Sequence, residues 1–217
     1  MNTKPDVQTL SIVLVGNFNP RIFHPSWLAK HELIRNHEAD NADIELSHND
    51  VSIFSLEWLK LQVMLDKFST ITEQEPYFEV TRDLVCGIFR LLEHTPISGI
   101  GINRGAHIRM RSKESWNDLG HILAPKKRWE KALKQPGTMR ISIRGTRKDD
   151  YNGHQNVRFE PSTRVHPGVF IEFNDHFDID SSSTSCSDQI INILTEKWDT
   201  NKTDFEKIVD ALMEGYV

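Results

Sequence analysis

The chain has 217 residues, 38% of them hydrophobic and 26% charged, enough length to bury a sizeable core in one domain or in two intimately packed repeats. No apolar run approaches the roughly eighteen residues of a membrane-spanning helix, the N-terminal segment lacks a secretory pattern, and two cysteines, Cys86 and Cys186, imply neither a disulfide framework nor a metal cluster; a reduced, cytoplasmic protein is expected. The net charge of −5 argues against a general nucleic-acid binder, yet Lys and Arg outnumber Asp and Glu more than twofold over residues 97–170, and the ratio is reversed in the remainder.

Residues 1–9 are polar and expected to fray. A β-rich run at 11–15 ends in the turn cluster of residues 16–20. Pro25 suits a first helical turn, and Trp27, Leu28, His31 and Ile34 recur at helical spacing, so a helix is predicted over 25–37. Short strands at 43–46 and 51–56 flank a turn at 47–50. Over 58–71, Leu59, Leu61, Val63 and Leu65 alternate with Lys60, Gln62, Met64 and Asp66, which predicts one strand with a buried and a wet face. Pro76 opens a helix whose stripe includes Val80, Leu84, Val85, Ile88 and Leu92.

In the next strand, Ile100, Ile102, Ala106, Ile108 and Met110 are expected to face the core. Arg104, His107, Arg109 and Arg111 are expected to face out, with Gly105 as a bulge that shifts the register. Ser112 caps a short helix, and Pro125 opens another over the run KKRWEKAL. Three alternating strands follow, at 139–144, 157–160 and 169–174. Polar loops at 148–155 and 180–185 are expected to be mobile. The C-terminal part is helical: Ile190, Ile193, Leu194 and Trp198 form one stripe, and a capping box at Thr203 and Glu206 is expected to start a last helix.

The order strand, helix, three strands, helix occurs twice, which suggests one compact domain of two α+β repeats over 1–95 and 96–217. Gly16-Asn17 and Gly101-Ile102-Asn103 are each read as ending a first strand, and Ser26-Trp27 and Ser115-Trp116 as opening the next helix. The fold expected is a two-layer, curved antiparallel sheet of about eight strands covered on one face by helices. That layout is similar, at fold level, to tandem TATA-binding-protein-like repeats. The segments TPISGIGINRG, HPGVFIEFNDHF and GNFNPRIFHPSWL resemble an uncharacterised, sporadically distributed bacterial protein family. The resemblance implies a setting in anti-phage defence or toxin–antitoxin systems and carries no functional residues with it.

By alternation, Arg109, Arg111, Arg140, Arg144 and Arg158 project from the wet side of the second half as an anion- or partner-binding surface. The competing reading pairs them with Glu160, Glu172 and acidic residues of the first half. The face lacks interleaved aromatics, so nucleic acid would be held through phosphate alone. His166, Asp175, His176, Asp178 and Asp180, with His154 upstream, have metal-ligand chemistry but no defined spacing, and a polar strand end explains them as well. The glycines of residues 99–105 do not match a phosphate loop and read as places where other side chains pack closely. Asn17 and Asn103 read as turn-stabilising residues at matching positions of the two halves. No catalytic residue, metal or cofactor is expected. The reading is a non-enzymatic binding or scaffolding subunit working beside another protein, with a nucleic-acid-binding subunit and a metal-dependent hydrolase as alternatives.

Overall fold

The computed structural model describes residues 3–180, 182 and 185–217. Among the described residues nine strands form one antiparallel sheet: β1 (Val7–Gly16), β2 (Asp43–Ser47), β3 (Val51–Ser55), β4 (Lys60–Met64), β5 (Lys67–Thr72), β6 (Ile97–Arg109), β7 (Ile141–Thr146), β8 (Gly153–Pro161) and β9 (Gly168–Asp178). Their spatial order is β2-β3-β4-β5-β1-β6-β9-β8-β7. Among the described residues there are six α-helices: α1 (Pro25–Lys30), α2 (Asn36–Asp40), α3 (Phe78–Leu91), α4 (Lys113–Leu123), α5 (Cys186–Glu196) and α6 (Trp198–Met213). The protein is therefore of the α+β class. Among the described residues no helix is long and apolar enough to cross a membrane.

Strands β1 and β6 lie at the centre, in register from Val7 opposite His107 to Val15 opposite Gly99. Period two then assigns every side chain to a face. Leu10, Ile12, Leu14, Ile100 and Ile102 are fully buried and share a core with Phe68, Ile88 and Phe89, and with Ile190, Leu194 and Trp198 of α5 and α6. A second cluster joins Ala106, Ile108, Ile171 and Phe173 to Leu119 of α4 and to Phe205, Val209 and Met213 of α6. The alternate residues Thr9, Ser11, Val13, Asn103, Asn156 and Asn174 lie on the opposite face, partly exposed.

Several expectations are corrected. No bulge occurs at Gly105: β6 pairs with β9 without a register shift from Gly99 to Arg109. Arg104 therefore points the same way as Ile102 and Ala106, into the interior, where it is only 4% exposed. The glycine has a packing reason instead. A Cβ at Gly105 would stand 2.4 Å from Thr9 Oγ1 and 2.8 Å from the Phe170 ring, which lies across it.

The single strand expected over 58–71 is a hairpin, β4 and β5, which supplies the ninth strand. Val63 and Phe68 oppose each other, so the core face passes from odd to even positions across the turn; Leu65, in the turn and 51% exposed, extends the apolar alternation of β4 and hides the reversal. The Leu65 and Asp66 carbonyls accept hydrogen bonds from Phe18 N (2.8 Å) and Gly16 N (3.1 Å), which ties the turn to the end of β1.

The helix expected over 25–37 is two short helices. Glu32 adopts φ 59°, the Glu32 N–H donates to Ala29 O and the Leu33 N–H to Leu28 O. That is a Schellman stop with glutamate where glycine is the usual residue. The break drives Leu33 into the space beside Gly87, whose Cβ would lie 2.6 Å from Leu33 Cδ2.

The expected helix KKRWEKAL shrinks to one 3-10 turn, Trp129–Lys131. Trp129 and Leu133 are more than half exposed, so it has no apolar face to bury, and so short a helix does not sustain itself. Thr203 lies inside α6, which starts at Trp198, so the expected capping box starts no helix. The N-terminal residues described are not frayed: Thr3 is buried with its N–H on Asp210 Oδ1 (2.9 Å), and β1 begins at Val7. Much of the polar run 180–185 lies outside the described residues.

Phe68 sits in edge contact with Phe89 at 5.2 Å and near Phe18 and Phe23. Phe68→Ala should lower unfolding free energy in urea by about 3–5 kcal/mol. Glu32→Gly, which removes the left-handed penalty, should raise it by about 1 kcal/mol.

Candidate functional site on the polar sheet face

Successive strand registers line up one row of directly opposed residues across all nine strands: Asp43, Ser55, Lys60, Ile71, Ser11, Asn103, Asn174, Asn156 and Arg144. The last four are joined head to tail. Arg144 Nε donates to Asn156 Oδ1 (2.9 Å), Asn156 Nδ2 to Asn174 Oδ1 (3.1 Å), Asn174 Nδ2 to Asn103 Oδ1, and Asn103 Nδ2 to the Ser11 carbonyl (3.3 Å). Each link polarises the next, so the row acts as one oriented chain of dipoles. Each amide has one further donor and one further acceptor site to offer. These side chains, with Ser142, Arg158 and Glu172, line a shallow depression of about 560 Å³.

The neighbouring rows frame it. On one side Glu172 opposes Arg158, the two form an ion pair at 3.0 Å, and the Arg158 guanidinium lies 5.2 Å from the Phe170 ring centroid. On the other, His176 opposes His154 with rings 4.7 Å apart, and His176 Nε2 is 3.3 Å from Asp178. Burial, then the nearby Arg144 and His176, pushes the His154 pKa down, which favours the neutral imidazole.

The five arginines selected by alternation fare differently. Arg109 is held by Asp6 and the His166 carbonyl. Arg140 bonds Glu160 at 2.8 Å, and Arg158 bridges Glu160 and Glu172. Arg111 follows the end of β6 and leaves the face; its guanidinium donates to the carbonyls of Gly215 and Val217 at the C-terminal end. Arg144 is exposed and pairs with no carboxylate among the described residues. Lys126, the first residue of the KKRWEKAL run, is buried and its ammonium caps the end of α4 through the Gly120 and Ala124 carbonyls.

The His166 to Asp180 group is dispersed by the same alternation. Asp175 points to the interior while His176 points to the polar face, and His166 stands near Trp116. Among the described residues, no group of three or more His, Cys, Asp or Glu is placed to hold a metal ion. Asn17, beyond the end of β1, and Asn103, in mid-strand, do not occupy matching positions. Both cysteines are free and buried, and burial raises the Cys86 thiol pKa. At Gly99 and Gly101 a Cβ would come within 3.0 Å of His176 and Asn174, so these side chains fill the glycine gaps.

Two buried polar centres were not legible in the sequence. Arg147, immediately before the loop 148–155 that was expected to be mobile, has a side chain only 4% exposed. It bonds Asp149 (2.8 Å) and Asp175 and lies over the Phe177 ring, while Lys197 reaches Asp149 at 2.9 Å. The second is Arg104. Its Nε donates to Asn201 Oδ1 (2.7 Å), its guanidinium lies 4.9 Å from the Trp198 ring, and its buried Nη2 has no partner among the described residues. Burial lowers the Arg104 pKa to about 10 against the raising field of Glu79, Glu206, Asp199 and Glu75, so it stays charged at neutral pH.

Compared with known proteins, the chain matches no family model, and no curated protein is significantly similar to it.

Hydrogen bonds from Arg147 hold the Asp149 carboxyl well below the usual carboxylate range, with Lys197 adding to the effect. A depressed folded pKa means stability that is present above the unfolded value near 4 and is lost as pH falls through the folded one. Asp149→Asn should therefore lower unfolding free energy by about 1–3 kcal/mol at neutral pH. The difference from wild type, followed by urea unfolding across a pH series, should fade below about pH 4.

Proposed function

We propose that this chain is a non-enzymatic binding subunit that presents the polar face of its sheet to another protein. The observation that carries this is the row Asn103, Asn174, Asn156 and Arg144, pre-oriented across four adjacent strands with unused hydrogen-bonding capacity. The charges around the row favour a protein over a polyanion. Arg109, Arg140 and Arg158 already sit on Asp6, Glu160 and Glu172, so little positive charge is left to displace counterions from nucleic acid. Arg144 is the residue placed to meet a partner's carboxylate, and rows of fixed amides suit the backbone and amide groups of a protein surface.

The same proposal takes the molecule as two-layer and internally duplicated, each half contributing one central strand, β1 or β6, in the manner of TATA-binding-protein-like repeats. The antiparallel pairing of β1 with β6 at the sheet's centre supports it. A cytoplasmic setting and a place in a bacterial defence or toxin–antitoxin system belong to the reading through the resemblance of its segments to the sporadically distributed bacterial family.

The test is co-purification from the native host with wild type and with Arg144→Glu. The variant should weaken the partner's affinity at least about tenfold. Its own unfolding free energy should stay within about 0.5 kcal/mol of wild type, because the side chain is exposed. An unchanged affinity overturns the reading. So does tight binding of DNA or RNA that falls steeply with salt, which would return the face to phosphate.

A further inference from the structure

The sheet has two open edges. Among the described residues β2 has β3 on one side and no strand on the other, and β7 has only β8. Every residue of β2 is exposed, and in β7 only Ile141 is partly covered. Such edges offer unpaired backbone N–H and C=O groups to any strand that fits them.

The row of opposed residues that crosses the sheet ends on these edges, with Asp43 at one and Arg144 at the other. Other charges in and beside the row are satisfied within the molecule: Lys60 sits on Glu45, Arg140 on Glu160 and Arg158 on Glu172. Among the described residues Asp43 has no ion-pair partner, and Arg144 bonds the Asn156 amide and no carboxylate. The two unpaired charges are thus opposite in sign and stand at opposite ends of one row.

All neighbouring strands are antiparallel, and an even number of steps separates β2 from β7, so the two edges run in the same direction. With the polar faces level, β7 of one copy and β2 of the next therefore lie parallel, and the row can continue from Arg144 to Asp43 of the next copy. On the other face, that register puts the exposed Ile44 of the next copy beside Gly145, where a Cβ would meet only the Gln155 carbonyl, at 4.0 Å. Ile143, 63% exposed, is its diagonal neighbour. Like edges repel instead: two β7 strands would gather Arg140 and Arg144 of both copies on one face, and two β2 strands would gather Asp43 and Glu45.

We propose that copies of this chain join head to tail through their sheet edges, β7 of one against β2 of the next, with Arg144 on Asp43 across the joint. The two surfaces differ, so the contact is heterologous and builds a ring or a filament. This does not rest on the reading of the polar face. Both engage Arg144, and Asp43, at the far edge from the amides, is the residue that separates them.

The experiment is sedimentation velocity of the intact chain from about 1 μM to about 100 μM at low salt. The average mass of wild type should rise with concentration and fall with added salt. Asp43→Arg and Arg144→Asp, both at exposed positions, should keep the wild-type urea midpoint and each weaken association at least about tenfold. The double variant Asp43→Arg with Arg144→Asp exchanges the two charges and should associate as wild type does. Three results overturn the proposal: wild type is monomeric throughout; Asp43→Arg associates as wild type does; or the double variant stays as weak as the single ones. A monomeric wild type leaves the polar-face reading standing, because that reading is scored on co-purification with a host protein.

Discussion

The pairing of β1 with β6 is the constraint on which the rest of the molecule depends. Each strand has its other edge occupied too, by β5 and β9. Neither can slip, because a shift of one residue would turn Leu10, Ile12, Ile100 and Ile102 out of the core together. With that register set, the faces of the outer strands follow through their own ladders. The amide row and the buried arginine are both consequences: Asn103 and Arg104 are neighbours in sequence and point to opposite sides of the sheet.

Arg104 also lies between the two apolar clusters. Along β6, Ile100 and Ile102 belong to the first and Ala106 and Ile108 to the second; in the helices, Trp198 belongs to the first and Phe205 to the second. The Arg104–Asn201 hydrogen bond spans that seam. A polar pair here discriminates among packings, since rotating α6 would leave Arg104 without its acceptor in a low-dielectric interior. The Arg147, Asp149 and Lys197 group does comparable work at another edge, joining the loop before β8 to the junction of α5 and α6.

Much of the fold was legible because it rests on local periodicity. The stripe of α3, the Ser112 cap of α4 and the alternation in β7, β8 and β9 are all visible in a few residues of chain. The hairpin at Leu65-Asp66 was not, because Leu65, exposed in the turn, prolongs the alternation of Leu59, Leu61 and Val63 past the point where the chain reverses. The stop at Glu32 was not, because a non-glycine residue takes the left-handed conformation there for the sake of packing Leu33. Of the candidate site, Arg109, Arg140, Arg144 and Arg158 were assigned to the correct face by alternation, while their neutralisation by Asp6, Glu160 and Glu172 and the departure of Arg111 were outcomes of long-range contacts. The asparagine row was invisible for the same reason: Asn103, Asn156 and Asn174 are far apart in the chain and become one feature only when three strands align.

The sequence by itself determined the class of fold, the positions of most strands and helices, and the polarity of the sheet's two sides, because period two and period 3.6 are properties of the backbone. Only the tertiary structure decided the meaning of individual polar residues. Whether an arginine is a free cation, half of an ion pair or a buried donor awaiting an acceptor depends on which groups lie within a few ångströms. Strand register and helix packing set those distances, and local pattern does not encode them.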